Sequence, residues 1–184
     1  MLKLSRRNLL AALIATALSL TAAPVVKAAD SLESKAAAAL KKLYRGNANA
    51  KALGDKAIAV MVFPEVVKAG LVIGGQSGDG VLMKKGKPVA RYKLTSASYG
   101  LQAGVQTYGY AMFFMSESGL QHLDRTSGWE VGVGPSVVVV DKGFGKVTSS
   151  TTLHDDVYAV IFDQSGVMAG LGLQGSKISR VSGE

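Results

Sequence analysis

The sequence predicts an α+β domain built mainly on an antiparallel β-sheet, closed or nearly closed into a barrel or flattened sandwich, with an N-terminal amphipathic helix and one short inserted helix. Three observations predict it. Glycine is threaded through apolar alternation in Ala69-Gly70-Leu71-Val72-Ile73-Gly74-Gly75, Tyr99-Gly100-Leu101-Gln102-Ala103-Gly104-Val105 and Ala169-Gly170-Leu171-Gly172-Leu173-Gln174-Gly175. Glycine weakens an isolated strand, so such stretches fit places where another backbone or a ligand comes close. Short apolar runs separated by turn residues recur from Ala57 to Val181, a set large enough to close on itself. Helical spacing is confined to the residues before Gly54 and to a few after Ser116. With 184 residues, 48% hydrophobic and 18% charged, the chain can bury one core and is not of disordered composition.

Taken in order, Lys3, Arg6 and Arg7 precede an apolar run from Leu9 to Ala23, which is shorter than the roughly 20 residues of a membrane span. Val26-Lys27-Ala28 offers small side chains where a signal peptidase reads, so residues 1–28 are expected to be a signal peptide. Ser5-Arg6-Arg7-Asn8-Leu9-Leu10 resembles a twin-arginine export signal, and a general secretory signal is the other route. Residues 29–184 would then be one mature domain in the periplasm of a bacterial envelope. There is no cysteine, hence no disulfide framework, thiolate nucleophile or site for lipid attachment.

Asp30 and Glu33 have capping-box spacing, and Leu32, Ala36, Ala39 and Leu43 fall on one helical face until Gly46. Asn47 to Leu53 reads as a short second helix or turn ended by Gly54. Ala57-Ile58-Ala59-Val60-Met61-Val62-Phe63 is a buried strand closed by Pro64. Turns follow at Gln76-Ser77-Gly78-Asp79-Gly80, at Lys84-Lys85-Gly86-Lys87-Pro88, at Tyr108-Gly109 and at Gln164-Ser165-Gly166. A brief helix is expected within Ser116 to Leu123. Trp129 to Val133, Val137 to Val140, Val157 to Phe162, Val167 to Leu173 and Lys177 to Val181 complete the strands.

Charge is uneven. The whole chain carries a formal +8. Residues 29–93 hold 12 basic and 5 acidic side chains, net +7, whereas residues 94–184 hold 5 and 8, net −3. On the first helix Lys41 and Arg45 lie opposite the apolar face, with Lys35 and Lys42 along its edge. A second basic cluster, Lys84, Lys85 and Lys87, sits in a turn. These seven side chains are the candidate contacts to anionic phospholipid headgroups, and Leu32 or Leu40 could add apolar insertion.

Phe63-Pro64-Glu65-Val66-Val67-Lys68-Ala69-Gly70, followed by Gly74-Gly75 and Gly80-Val81-Leu82, resembles the opening signature of the SYLF lipid-binding family. Ser98-Tyr99-Gly100-Leu101-Gln102-Ala103-Gly104 is similar to that family's central strand, and Gly166-Val167-Met168-Ala169-Gly170-Leu171-Gly172-Leu173-Gln174-Gly175-Ser176 to its terminal one. The resemblance implies a β body with an N-terminal helical segment and no known catalysis. Eukaryotic members bind phosphoinositides through a basic amphipathic helix and assist actin-regulatory partners, which gives the family its actin label. For an exported bacterial member, phosphatidylglycerol, cardiolipin or phosphatidic acid would be the accessible anionic lipids.

The residues themselves offer no catalytic constellation, and no enzyme activity or cofactor is expected. Gly170-Leu171-Gly172-Leu173-Gln174-Gly175 matches G-x-G-x-x-G, but the nine residues after it leave no room for a dinucleotide-binding unit. His122 and His154 are the only histidines, and His154-Asp155-Asp156 beside Thr151 and Thr152 is at most a loose cluster of metal or acid/base groups. Ser98 lacks the glycine at the first position of a nucleophile elbow. Export and modest net charge disfavour nucleic acid. The reading is therefore a non-enzymatic periplasmic protein that contacts anionic phospholipid through the basic helix and the lysine turn. Two alternatives stand beside it: a carrier enclosing a hydrophobic ligand, lined by Tyr99, Tyr108, Tyr110, Phe113 and Phe114, and an envelope protein–protein interaction or stress module acting through a sheet edge or the Pro135 region.

Overall fold

In the computed structural model the described residues are 31–71, 73–99, 104–124, 128–130, 137–139, 155–166 and 176–181. The expected signal peptide, His154, the G-x-G-x-x-G run, Pro135 and the strand over Val167 to Leu173 lie outside them. Two helices come first, α1 (Leu32–Gly46) and α2 (Ala48–Lys56). The strands are β1 (Ala59–Gly70), β2 (Ile73–Lys84), β3 (Lys87–Tyr99), β4 (Gly104–Phe114), β5 (Trp129–Glu130), β6 (Val137–Val139), β7 (Val157–Gly166) and β8 (Lys177–Val181). Between β4 and β5 lie α3 (Glu117–Gln121) and a 3-10 turn (His122–Asp124).

The strands form one sheet in the order β5-β8-β3-β2-β1-β4-β7-β6, antiparallel except for the parallel pair β6 and β7. The fold is thus α+β, but the expected closure does not occur, because β5 and β6 are opposite edges that do not pair with each other. The physical reason is that the sheet covers its two faces with separate layers. On one face α1 and α2 lay Ala36, Leu43, Ala50 and Leu53 on Val60, Val62, Val81, Phe113 and Val160. On the other, Leu120, Leu123 and Trp129 join Met61, Phe63, Tyr92, Leu94, Tyr110, Met112, Phe114 and Ile178. A sheet buried on both sides in this way has no need to curl shut around one interior.

Local chemistry departs from expectation at α1, α2 and β1, and the turns expected at 76–80, 108–109 and 164–166 lie within β2, β4 and β7, whereas the short helix after Ser116 is as expected. The N-cap of α1 is Ser31 and not Asp30, and its Oγ accepts from the Ser34 N–H at 3.2 Å. The Glu33 carboxylate stays bonded to the first turn, through its own backbone N–H and Ser31, and also accepts from Arg91 Nε on β3 at 2.6 Å. The α2 helix runs through Gly54 instead of ending there, because Tyr44 of α1 packs so closely over Gly54 that any Cβ would collide with its ring. Strand β1 continues past Pro64, which sits where the register shifts against both neighbours. At such a bulge the missing proline N–H leaves no ladder bond broken. The short helix α3 is capped by Ser116, and Asp156 accepts from both Ser116 and Ser118, at 2.9 Å from the latter.

The aromatics proposed to line a ligand cavity are divided between the two cores: Tyr108, Tyr110 and Phe114 lie on one face and Phe113 on the other. Each is 0–1% exposed. Beyond the Pro64 bulge no helix among the described residues covers the helix-side face of the sheet, and Val67, Leu71, Ile73 and Val105 are exposed around the β1–β2 connection.

The Glu33–Arg91 pair ties α1 to the sheet and makes stability depend on acid. Its hydrogen bond from Arg91 holds the Glu33 carboxyl at about 2, down from the usual 4.5. A carboxyl with a depressed folded-state value contributes fully above about 4.5 and loses that contribution as pH falls through about 2. The expected result is that Glu33→Gln shows a smaller fall in Tm between those two pH values than the parent chain, in parallel thermal melts. Identical falls would mean that the pair carries no linkage.

Candidate lipid-binding site

The helix periodicity that buries Ala36 and Leu43 also turns a second stripe, Ala37, Leu40 and Tyr44, toward the β2–β3 hairpin. Between that stripe and the sheet is an open cavity of about 440 Å³ lined by Ala37, Leu40, Lys41, Tyr44, Arg45, Lys51, Met83 and Gly86. Its volume falls in the range of small-molecule sites, roughly 300–1,000 Å³. Leu40, Tyr44, Ala37 and Met83 make an apolar floor, and Lys41, Arg45 and Lys51 a cationic rim. Burial, with Asp55 adding to it, pushes the Tyr44 phenol up to about 12, so this hydroxyl is neutral at physiological pH.

The rim cations differ in their partners. Lys51 holds Asp55, one turn along α2, at 2.6 Å. Arg45 Nε donates weakly to the Lys41 carbonyl at 3.4 Å, which lays the guanidinium along the last turn of α1. Among the described residues the ion pairs occupy Asp163, Asp55, Glu33, Asp79 and Asp124, and none of these pairs involves Lys41, Arg45, Lys84, Lys85 or Lys87.

The hairpin brings its lysines to the same end of the molecule but not to the same face. Lys85 and Gly86 form its two-residue tip with φ of 50° and 73°, the left-handed pair that a tight hairpin turn demands. Gly86 lines the groove, so the tip abuts the basic helix. Strand alternation places Met83 on the helix side and Lys84 on the opposite face, where it lines another cavity. Lys87 is the cross-strand partner of Lys84 and shares that face.

Two candidate cations fall elsewhere. Lys42 pairs with Asp163 of β7 at 2.8 Å and lines a smaller cavity of about 190 Å³ on the far flank of α1. Lys35, two turns earlier on that same flank, is exposed to solvent. Sequence reasoning missed Tyr44, Lys51 and Met83. The 37-40-44 spacing was a usable signal, being a second apolar stripe offset from the first. Lys51 was hidden by Gly54, which made α2 look too short to present a face.

Asp156 and Asp155, considered as metal or acid/base groups, have local partners. Hydrogen bonds from Ser116 and Ser118 hold the Asp156 carboxyl below the usual range, and Asp155 Oδ2 accepts from the Tyr158 hydroxyl at 3.4 Å.

These features define an α+β domain in which a helix-layered open sheet carries an apolar, cation-rimmed groove at one end. The family model described as "Ysc84: Las17-binding protein actin regulator" matches residues 95–183, 89 of the 184 residues, consistent with a SYLF domain over that stretch. That match runs from β3 through β8, and the groove residues Ala37 to Gly86 precede it. No curated protein matches the chain.

Proposed function

We propose that this chain is a non-enzymatic lipid-binding protein that docks its cationic end against anionic phospholipid in the periplasm. The observation that carries the reading is the groove, where a floor of Leu40, Tyr44 and Met83 meets Lys41, Arg45 and the hairpin tip. An amphiphile with an anionic head matches both parts. Lys41, Arg45 and the hairpin-tip Lys85, which take no part in the ion pairs found among the described residues, at about 1 kcal/mol each near an anionic surface give about 3 kcal/mol together and a dissociation constant of several millimolar. Covering part of the apolar floor adds about 25 cal/mol per Å² removed from water.

The test is co-sedimentation with vesicles of phosphatidylcholine alone or mixed with phosphatidylglycerol. Binding is expected only with phosphatidylglycerol, and is expected to weaken severalfold between roughly 0.05 and 0.5 M salt as the screening length shortens. Equal binding to both vesicles, or to neither, rejects the reading. Export is a separate part of the proposal. The chain recovered from an envelope fraction should have an intact mass beginning at Ala29, and retention of residues 1–28 would contradict it.

A ligand enclosed in the β body has less support, because Tyr108, Tyr110, Phe113 and Phe114 are core residues of two different faces.

A further inference from the structure

On the face of the sheet away from α1 and α2, a cavity of about 280 Å³ is lined by Leu82, Lys84, Val89, Ala90, Tyr92, Leu120, Asp124 and Arg180. Four separate parts of the chain meet there: β2 supplies Lys84, β3 Tyr92, the 3-10 turn Asp124 and β8 Arg180. Two cations, Lys84 and Arg180, thus line the cavity with one carboxylate, and Lys87 stands beside Lys84 as its cross-strand partner.

We propose that this cavity is an anion site, distinct from the groove, which takes a phosphate group between Lys84 and Arg180 with Lys87 at its mouth. Arg180 Nη1 lies 3.5 Å from Asp124 Oδ1, at the outer limit of a hydrogen bond. That contact engages one of the five guanidinium N–H groups and leaves a planar fork for two phosphate oxygens. Lys84 adds a point charge from β2, on the other side of β3 from Arg180. Tyr92 forms the buried wall, and its phenol is raised by burial and by Asp124 but lowered by Arg180, which puts the hydroxyl within electrostatic reach of both charges as a neutral donor.

The charge balance favours phosphate over carboxylate. A phosphate monoester carries about −1.5 to −2 and uses both cations, whereas a carboxylate would be satisfied by Arg180 alone. The volume suits a headgroup and not an acyl chain, since sites for drug-sized ligands run from roughly 300 Å³ upward. The phosphate could belong to a lipid headgroup or be free in solution, and the experiment separates the two.

Inorganic phosphate is titrated into the purified chain while amide resonances around Lys84, Leu120 and Arg180 are followed by NMR, and phosphatidylcholine vesicles containing phosphatidic acid, whose headgroup is a phosphate monoester, are titrated in parallel. The variants are Lys84→Gln, Arg180→Gln and, as the groove control, Lys41→Gln with Arg45→Gln. A free-phosphate site gives saturable shifts at those amides, weakened about tenfold by Lys84→Gln or Arg180→Gln and unchanged by the groove variant, as for loss of one charge-assisted hydrogen bond. A headgroup site gives no shifts with inorganic phosphate, but Lys84→Gln and Arg180→Gln each weaken vesicle binding about tenfold. If neither substitution alters either titration, the proposal is overturned. Should Arg180→Gln lose its folded circular dichroism spectrum, Lys84→Gln alone decides. Vesicle binding lost only in the groove variant, with no phosphate shifts, would overturn this site and keep the groove. Phosphate shifts dependent on Lys84 and Arg180 without any vesicle binding would do the reverse.

Discussion

Reversing both Lys41 and Arg45 to glutamate is expected to abolish co-sedimentation with phosphatidylglycerol vesicles. Each reversal removes about 1 kcal/mol of attraction and adds a similar repulsion, so the pair is worth about 4 kcal/mol, or close to a thousandfold in affinity. The fold should survive, because both side chains are exposed on α1. The main structural cost is an acidic residue at position 45 near the helix C-terminus, about 0.3–1 kcal/mol from the dipole. Lys42→Ala is the matched control. Its partner Asp163 sits on the far flank, and an exposed pair of this kind contributes about 0–1 kcal/mol to stability. Vesicle binding by Lys42→Ala within about threefold of the parent, beside loss in the double reversal, fits the roughly 1 kcal/mol limit per surface cation. A double reversal that still binds removes the groove from the mechanism.

Replacing Trp129 with alanine should lower stability by about 3–5 kcal/mol, the usual cost of emptying a core site of this size. Trp129 is 1% exposed, stands 6.1 Å from the Phe114 ring centroid and 6.4 Å from that of His122, and is the cross-strand partner of Ile178. Among the described residues, β5 pairs with β8 through this residue and Glu130, so the loss falls on a sheet edge as well as on the core. For a domain of this size each kcal/mol corresponds to about 2–4 °C, giving a fall in Tm of roughly 10 °C by circular dichroism. Trp129→Phe, which keeps most of the volume, should recover more than half of it. A fall under about 3 °C for the alanine variant would show that Trp129 packs loosely, contrary to its burial.

How much of this was readable in the sequence depended on whether the information was local. Leu32, Ala36, Ala39 and Leu43 marked α1 because a helix repeats its buried face every 3.6 residues. The apolar run before Pro64 marked the root of β1. Sheet order was not local, because β3 pairs with β8 and β4 with β7 across long separations that no short pattern records. Closure was misjudged for a related reason. The unbroken apolar run Ala59–Phe63 is what a strand covered on both faces looks like, and that pattern argues for layers on two sides instead of a barrel around one. At the site, composition located the cations, but their grouping was settled by strand parity. Lys84 and Lys85 are neighbours in the chain, yet Lys84 lines the cavity across the sheet while Lys85 lies at the hairpin tip beside the groove. Arg180, far away in sequence, comes to share a cavity with Lys84.

The bulge at Pro64 gives the molecule two poles of unlike rigidity. From Ala59 to Phe63 β1 is sandwiched, and its partner Met83 leads directly into the lysine hairpin, so the docking pole is clamped before anything binds. Little ordering entropy remains to be lost there on association. Past the bulge, no helix among the described residues covers the exposed Val67, Ala69 and Leu71, and thermal fraying should begin at that pole and travel toward the charged one. The surface proposed to meet a ligand is thereby expected to be the last to melt.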